Sequence, residues 1–259
     1  MRASAWQEAA WKIIPFLPIL ALWQGVASLG LYPRYLLPDP LGVLWAFIEH
    51  GQSGALWVHM RESLVRLLLG VLIGGSTGIV LGVAMGISRP VARFFTPIIT
   101  LGQAIPGLAW IPLAILWFGL GTGAIVFIIF ASVLFPVLFN TISGIQTVPQ
   151  VLLNAALTLG ATRLQVIREV VLGALPSVIM GLRIGIGYGW RALVGGEMIA
   201  AASGLGFLIF NARQFLESEV VVVGMLTIGV SFLILDSVLL RPFEQKTIER
   251  WGVVGSKTV

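Results

Sequence analysis

Five glycines recur at four-residue intervals inside one apolar run of the chain, from residue 64 to residue 87. They are Gly70, Gly74, Gly78, Gly82 and Gly86. In a water-exposed helix each glycine lowers stability by about 0.5–1 kcal/mol relative to alanine. In a bilayer no water competes for the backbone hydrogen bonds, and small residues let helices approach closely. The run therefore predicts a membrane helix with one glycine face.

The same spacing occurs a second time, at Gly181, Gly185 and Gly189. Such small-residue faces serve either close helix packing or a solute path lined by bare backbone, and packing is the commoner use. We therefore expect both helices to pack closely against a neighbour. That neighbour is either the other glycine helix or a second copy of the chain.

Composition excludes several classes of protein. Hydrophobic residues make up 58% of the chain, charged residues only 10%, and the mean hydropathy is +0.98, which excludes a soluble domain. The 16 Lys and Arg residues are not clustered or interleaved with aromatics, so a nucleic-acid surface is not expected. There is no cysteine, and both histidines, His50 and His59, fall in a predicted connecting segment. No metal site is expected.

Runs of about 20 apolar residues predict membrane helices. Six such runs are found, at residues 13–31, 64–87, 94–117, 122–143, 177–200 and 220–240. The first is too long for a signal peptide and is interpreted as a retained anchor. Most Lys and Arg residues lie in loops on the side of the N-terminus, so both termini are predicted to be cytoplasmic. The fold class is an all-α membrane protein, with residues 1–259 as a single transmembrane domain.

The predicted cytoplasmic loop, residues 144–175, is unusually well organised. Apolar residues at helical spacing predict short helices at residues 150–159 and 163–172. Gly160 lies between them, where a left-handed residue ends one helix and allows a sharp turn. Ala155 and Ala156 leave room for the backbone of another chain, so this loop is predicted to dock into a groove.

These loop residues also resemble a known family. Asn154, Ala155, Ala156, Gly160 and the stretch 172–176 are similar to the EAA loop in permease subunits of bacterial ATP-driven (ABC) importers. The stretches 36–40, 105–113, 117–119, 195–200 and 203–206 resemble the nitrate, sulfonate and taurine branch of that family. Two positions depart from its pattern: Asn154 replaces the usual glutamate, and Gly173 replaces the first of two prolines.

The resemblance implies a type I importer built from two copies of this permease in the bacterial inner membrane. Two cytoplasmic ATPase subunits would bind ATP and Mg²⁺ and grip the loop, and an extracytoplasmic binding protein would deliver a small anionic solute. The chain itself would then be non-catalytic and carry no cofactor. The residues expected to couple it to the ATPase are Asn154, Ala155, Ala156, Gly160, Ala161, Arg163 and Leu164.

Charged residues inside predicted spans need a partner or water, because burying them is costly. Arg183 and Asp236 match in depth and are predicted to form an ion pair, with snorkelling to the membrane surface and gating as the alternatives. Arg191 lies near mid-membrane with no acidic residue at i+3 or i+4. It is expected either to attract an oxyanion or to cap the carbonyls of a broken helix. Glu197 is expected to hydrogen-bond the following loop, or to contact the solute or the delivering protein at an outer gate.

The third predicted span contains two prolines, Pro106 and Pro112, and is therefore expected to be broken. Freed carbonyls at the break could bind solute, or the kink could be purely structural. Trp110 lies between the prolines and is expected to pack or to face the path. With Arg191 and Glu197, residues Pro106, Trp110 and Tyr188 form the candidate translocation path.

The main alternative is a secondary carrier, in which Glu197, Asp236 and Arg191 form a proton relay. Such a carrier would not need the organised loop at residues 144–175. A membrane-embedded enzyme would need a cluster of nucleophile, base or metal ligands at one depth. The sequence offers no such cluster.

Overall fold

The computed structural model describes residue 14 and residues 16–250, and these residues form helices and no strand. The α-helices are α1 (Phe16–Ser28), α2 (Pro40–Gln52), α3 (Ala55–Ile87), α4 (Arg89–Ala104), α5 (Ile111–Phe118), α6 (Thr122–Gln146), α7 (Gln150–Thr158), α8 (Arg163–Gly173), α9 (Leu175–Ala200), α10 (Leu205–Gln214), α11 (Ser218–Ile234) and α12 (Arg241–Arg250). A 3₁₀ turn (Gly107–Trp110) precedes α5, and a π-helical turn (Leu235–Leu240) joins α11 to α12.

The glycine face of α3 packs against α6. A Cβ atom added at Gly74 or Gly78 would lie 2.9 Å from a backbone carbonyl oxygen of α6, and one at Gly82 would lie 3.0 Å from the next. A Cβ atom added at Gly70 would collide with the side chain of Ile129, and one added at Gly86 would lie 2.8 Å from the side chain of Ile145. The glycines of α3 and the residues of α6 that they contact increase in number together, so α3 and α6 run parallel.

The face of α6 that meets these glycines carries larger side chains at the same four-residue spacing. They are Ile129, Val133, Val137, Thr141 and Ile145. All five are at most 6% exposed. A row of larger side chains thus fills the groove left by a row of glycines, which brings the two backbones together.

The second glycine series packs on the same helix from another side. A Cβ at Gly181 would lie 3.1 Å from the carbonyl oxygen of Pro136, and one at Gly185 would lie 3.2 Å from that of Val133. Gly189 also meets Val133, so α9 runs antiparallel to α6. The neighbour of both glycine helices is therefore α6 of the same chain, an arrangement that the sequence did not suggest. The glycine helices also touch each other, since a Cβ at Gly75 would lie 3.0 Å from Leu182.

The third predicted span is not one straight helix. Helix α4 and the 3₁₀–α5 segment are bent by 94° relative to each other, with the break at Ile105 and Pro106. Pro106 therefore breaks the helix as expected. Pro112 does not break a helix, because it lies in the first turn of α5. The backbone N–H that proline lacks would have no partner within the helix at that position.

Other predicted boundaries are corrected. Helix α3 begins at Ala55 rather than at residue 64, because the polar segment before the apolar run is also helical. Helix α1 ends at Ser28 rather than at residue 31. The sixth predicted helix does not stop at residue 240 but continues through the π-helical turn into α12. By length and composition, three helices of the described region are able to span a membrane, or up to five if each bent pair is one span. Helix α1, only 13 residues long, is not among these five.

Candidate functional site

A cleft of about 580 Å³ lies between the broken segment after α4, helix α6 and helix α9. Three of the predicted path residues, Pro106, Tyr188 and Arg191, line it together. The guanidinium carbon of Arg191 lies 5.7 Å from the centre of the Tyr188 ring, within cation–π range. The break at Pro106 therefore leaves a concavity beside the guanidinium of α9.

Trp110 does not line this cleft. It lies half-buried in the 3₁₀ turn, and its ring packs edge-on against Phe127 at 6.1 Å between centroids. Its indole N–H has no hydrogen-bond partner among the described residues. The surroundings of Trp110 are thus those of a packing residue.

A second cleft, of about 500 Å³, shares Tyr188 and Arg191 with the first. Arg183 and Asp236 line it and form the predicted ion pair, with Nε and Oδ1 2.9 Å apart. Two further partners join the pair: Arg241 donates to Asp236 at 2.7 Å, and Glu244 accepts from Arg183. Both come from α12, which was outside the predicted sixth helix.

Glu197 belongs to a separate cluster at the other end of α9. It is completely buried and accepts hydrogen bonds from Arg66 at 2.8 Å, from Ser63 at 2.8 and 2.9 Å, and from the N–H of Gly206 at 3.0 Å. The predicted bond to the following loop is therefore present. Arg66, only 4% exposed, was missed because α3 was predicted to begin just before it. The presence of an arginine within an apolar helix was the signal in the sequence that could have identified Arg66.

This cluster fastens the loop after α9 to α3. Arg66 donates to the carbonyl oxygen of Ser203 at 2.6 Å and to its hydroxyl at 2.7 Å. The N–H of Gly204 donates to Nδ1 of His59 at 3.0 Å. Gly204 has a φ of +110°, and a Cβ there would collide with the carboxylate of Glu197. Only glycine fits this point of the loop.

The two loop helices, α7 and α8, match the predicted ranges to within one residue at each end. Gly160 has a φ of +91°, and the N–H of Ala161 donates to the carbonyl oxygen of Ala156 at 3.0 Å, which closes the end of α7. Thr162 and Gln165 form a capping box that starts α8. The connection between the helices is therefore short and well defined.

One face of this helix pair packs on the end of the α3–α6 bundle. Val170 and Ala174 are buried against Ile145, and Val83 and Leu153 pack around them. The opposite face is apolar and exposed: Val151 is 75%, Leu164 76% and Leu159 88% exposed. Asn154, Ala155 and Arg163 are exposed as well, whereas Ala156 and Ala161 are half-buried. The bundle thus carries an apolar surface on a fixed support.

Comparison with known families decides the identity of this arrangement. The family of binding-protein-dependent transport system inner membrane components matches residues 76–242. The chain belongs to this family. The family expected from the loop residues is thereby confirmed, and the chain is an inner membrane component of a transport system.

Several relatives of this permease have known names. It is 39% identical to the taurine transport system permease protein of Escherichia coli, over 84% of this chain and 82% of the relative. It is 41% identical to the putative aliphatic sulfonates transport permease protein of the same organism, over 82% and 81%. It is 30% identical to a nitrate import permease protein of Synechococcus elongatus, over 91% of both.

The fold is similar to that of a solved structure. A chain of the MetNI methionine ABC transporter in inward-facing conformations superposes with a TM-score of 0.60 at 20% identity, covering 74% of this permease and 93% of that chain. This likeness supports the fold class: a helical membrane permease of the ABC-transporter kind.

Proposed function

We propose that this permease is the transmembrane subunit of an ATP-driven importer for a small anionic solute of the sulfonate, taurine or nitrate class. It acts as a homodimer with two cytoplasmic ATPase subunits, which bind ATP and Mg²⁺, and with an extracytoplasmic solute-binding protein. Family membership and the named relatives support this proposal. The observation that carries it is the exposed apolar face of α7 and α8, since such a face on a fixed support is typical of a protein-binding surface.

The connection from this face to the cleft supports alternating access. Helix α8 passes into α9 at Ala174 with a bend of 46°. Helix α9 then carries Tyr188 and Arg191 into the cleft. A movement of the ATPase subunits that shifts α8 therefore shifts the cleft wall as well. Asn154 is exposed at the proposed contact, where its amide is able to hydrogen-bond in place of a carboxylate.

We also propose six crossings with both termini in the cytoplasm. Parallel packing of α3 and α6 favours this topology, because the chain between them must return across the bundle. Consistent with such a return, α6 begins beside the end of α9, where the N–H of Gly121 donates to the carbonyl oxygen of Ala200, whereas the end of α3 at Gly86 lies against Ile145 near the end of α6. Arg89, Arg93 and Arg163 lie at the end of the bundle that carries the loop, as expected of a cytoplasmic side.

Within the cleft, we propose that Arg191 attracts the solute and that Tyr188 and the break at Pro106 line its path. The proton-coupled carrier is less well supported. Glu197 is bound in the outer cluster by Arg66, whereas Asp236 is bound by Arg183 at the other end of α9. Asp236 and Arg191 line the same cleft, but Glu197 lies in a different cluster, so the three residues do not form one relay.

The topology is tested by labelling single cysteines, since the chain has none of its own. Leu159→Cys, produced without the ATPase subunits that are proposed to cover it, is expected to react with a membrane-impermeant maleimide only in inverted vesicles, because residue 159 is 88% exposed and faces the cytoplasm. Leu36→Cys, at a position 62% exposed near the opposite end, is expected to react only in intact spheroplasts. The opposite pattern at Leu159→Cys would refute the proposed orientation.

The coupling role is tested with Leu159→Asp. A charge at the most exposed residue of the apolar face is expected to weaken ATPase binding at least about thirtyfold, the loss that replacement of an interface hot-spot residue causes. The measurements are co-purification with the ATPase and ATP-driven uptake by proteoliposomes with the binding protein. Leu31→Asp, at a position 70% exposed in the α1–α2 loop, is the control. Normal co-purification and uptake by Leu159→Asp would contradict the proposal.

A further inference from the structure

The two histidines of the chain meet opposite kinds of hydrogen-bond partner. Nδ1 of His59 lies 3.0 Å from the backbone nitrogen of Gly204, whose N–H is able only to donate. Nδ1 of His50 lies 3.0 Å from the carbonyl oxygen of Ala46, which is able only to accept. A neutral imidazole has one protonated and one unprotonated nitrogen. Nδ1 of His59 is therefore the unprotonated nitrogen of its ring, whereas Nδ1 of His50 carries the proton.

Protonation therefore affects the two bonds differently, because a charged imidazole donates from both nitrogens. His50 keeps its bond to a carbonyl oxygen. His59 loses the lone pair that accepts from Gly204 and turns a proton toward that N–H. We infer that the loop of residues 201–204 is a pH-sensitive latch, which neutral His59 holds against α3 and which acid releases. The inference adds regulation to the proposed function, and its placement on the outer side of the membrane rests on the proposed topology.

His59 lies where the pH of the outer solution reaches it. Helix α3 has 33 residues and is about 50 Å long, whereas the hydrocarbon core of a bilayer is about 30 Å thick. Its apolar run begins only at residue 64, so the turn with His59 projects beyond the core, at the end of the bundle opposite to α7 and α8. The ring is half-buried and packs against Phe207 of α10, with 6.0 Å between centroids. It is thus held in place and still accessible to protons.

The charged and titratable groups around His59 do not compensate a second charge on its ring. Arg66 and His50 oppose protonation, since each is or becomes a cation. The carboxylate of Glu197 is bound by Arg66 at 2.8 Å, and that of Glu62 lies 3.8 Å from the same guanidinium. Both carboxylates already face a cation, and the loop itself has no charged side chain. A proton on His59 therefore favours release of the loop.

The latch connects the outer end of α9 to α3. Helix α9 carries Tyr188 and Arg191 to the cleft and continues from α8 at its other end. Arg66 also donates to both oxygens of Ser203, so loss of the His59 bond loosens the loop without detaching it. The pH of the outer solution is therefore coupled to the freedom of α9 at its outer end.

The size of the effect follows from proton linkage. A solvated histidine has a pKa of about 6.5. Because only the released state binds the proton, the ratio of released to latched loop is expected to be about tenfold higher at about pH 5.5 than at about pH 7.5. Stability of the latch is thus present at neutral pH and is lost as the pH falls.

The latch is tested by hydrogen–deuterium exchange of the permease assembled with its ATPase subunits in nanodiscs. Labelling times are scaled for the slower chemical exchange in acid, and overlapping peptides resolve the amide of Gly204. Its protection is expected to fall about tenfold between the two pH values. His59→Asn places an amide oxygen, an acceptor that does not titrate, on the same Cγ atom that carries Nδ1, and is expected to remove this response. His50→Asn is the matched control and is expected to keep it.

A second measurement does not depend on the folding of the position-59 variant. In His50→Asn the permease has His59 as its single histidine, so ¹⁵N-histidine labelling gives one imidazole. The labelled permease is purified through a tag without histidine and assembled with unlabelled ATPase subunits. Solid-state NMR at about pH 7.5 is expected to show an unprotonated Nδ1 and a protonated Nε2.

Four results would overturn the inference. They are a wild-type response below about twofold, a response that persists in His59→Asn, a response that is lost in His50→Asn, and a protonated Nδ1 at neutral pH. ATP-driven uptake tests the importer proposal separately, because exchange at Gly204 does not depend on transport. Reversed labelling of Leu159→Cys would move the latch to the other side of the membrane and leave its response to pH unchanged.

Discussion

Gly78→Leu is expected to prevent correct folding of the permease. A Cβ atom at this position would lie 2.9 Å from the carbonyl oxygen of Leu134 and 3.0 Å from the Cβ of Val137. The first contact is with backbone, which no change of rotamer relieves. Parting α3 from α6 would disrupt the contact along its whole length, so the cost is expected to exceed the usual overpacking range of about 1–3 kcal/mol.

The measurement is the yield of monodisperse permease after extraction in mild detergent, followed by thermal unfolding of whatever is recovered. Gly229→Leu is the matched control, because Gly229 also lies within an apolar helix, α11. A Cβ atom added at Gly229 would have no other atom within 4 Å. Normal yield for Gly229→Leu and less than a tenth of that yield for Gly78→Leu are expected. Equal yields would show that α3 and α6 do not pack through this glycine.

The glycine faces illustrate what a sequence of this kind can predict. Their four-residue spacing predicted close packing, because no other use of glycine in an apolar helix is as common. The identity of the partner was not predictable from the glycines, since they show only that something large lies opposite. The partner row on α6 has the same spacing, from Ile129 to Ile145, but larger side chains in an apolar helix are too common to stand out.

The charged clusters were likewise predicted only in part from the sequence. Arg183 and Asp236 were paired from depth alone, and the pair is present at 2.9 Å. Glu244 was missed because the π-helical turn keeps the chain helical past residue 240 and brings α12 beside α9. Hydropathy does not detect such a continuation, since α12 is polar and would be predicted to lie outside the membrane.

The loop was the most predictable part of the proposed site. Alternation of apolar and polar residues over short helices is a local property, and Gly160 marks the turn by its conformational freedom alone. The side of each helix that packs on the bundle was not predictable. The loop was predicted to dock into a groove, and Val151, Ala155 and Leu159 of its predicted apolar stripe are exposed in the structure.

Glu197→Ala is expected to destabilise the permease by about 3–5 kcal/mol, the range for removal of one partner from a buried ion pair. Arg66 would keep its charge at a position only 4% exposed. Its remaining partners would be the two oxygens of Ser203, the hydroxyl of Thr122 at 3.3 Å and the partly exposed carboxylate of Glu62 at 3.8 Å, which is a weaker partner than buried Glu197. The N–H of Gly206 would lose its acceptor as well. Thermal unfolding in one detergent is expected to show a midpoint lower by about 10 °C.

Two variants separate the buried pair from a general effect of losing a carboxylate. Glu217→Ala, which removes an exposed glutamate before α11, is expected to leave the midpoint unchanged. The double variant Arg66→Met with Glu197→Leu removes both charges and is expected to recover much of the lost stability, because an apolar pair of similar volume leaves no unpaired charge. A midpoint for Glu197→Ala equal to that of Glu217→Ala would contradict this account. A double variant less stable than Glu197→Ala would also contradict it. Such a result would show that the hydrogen bonds to the loop, rather than the buried guanidinium left without Glu197, determine the stability of this end of the bundle.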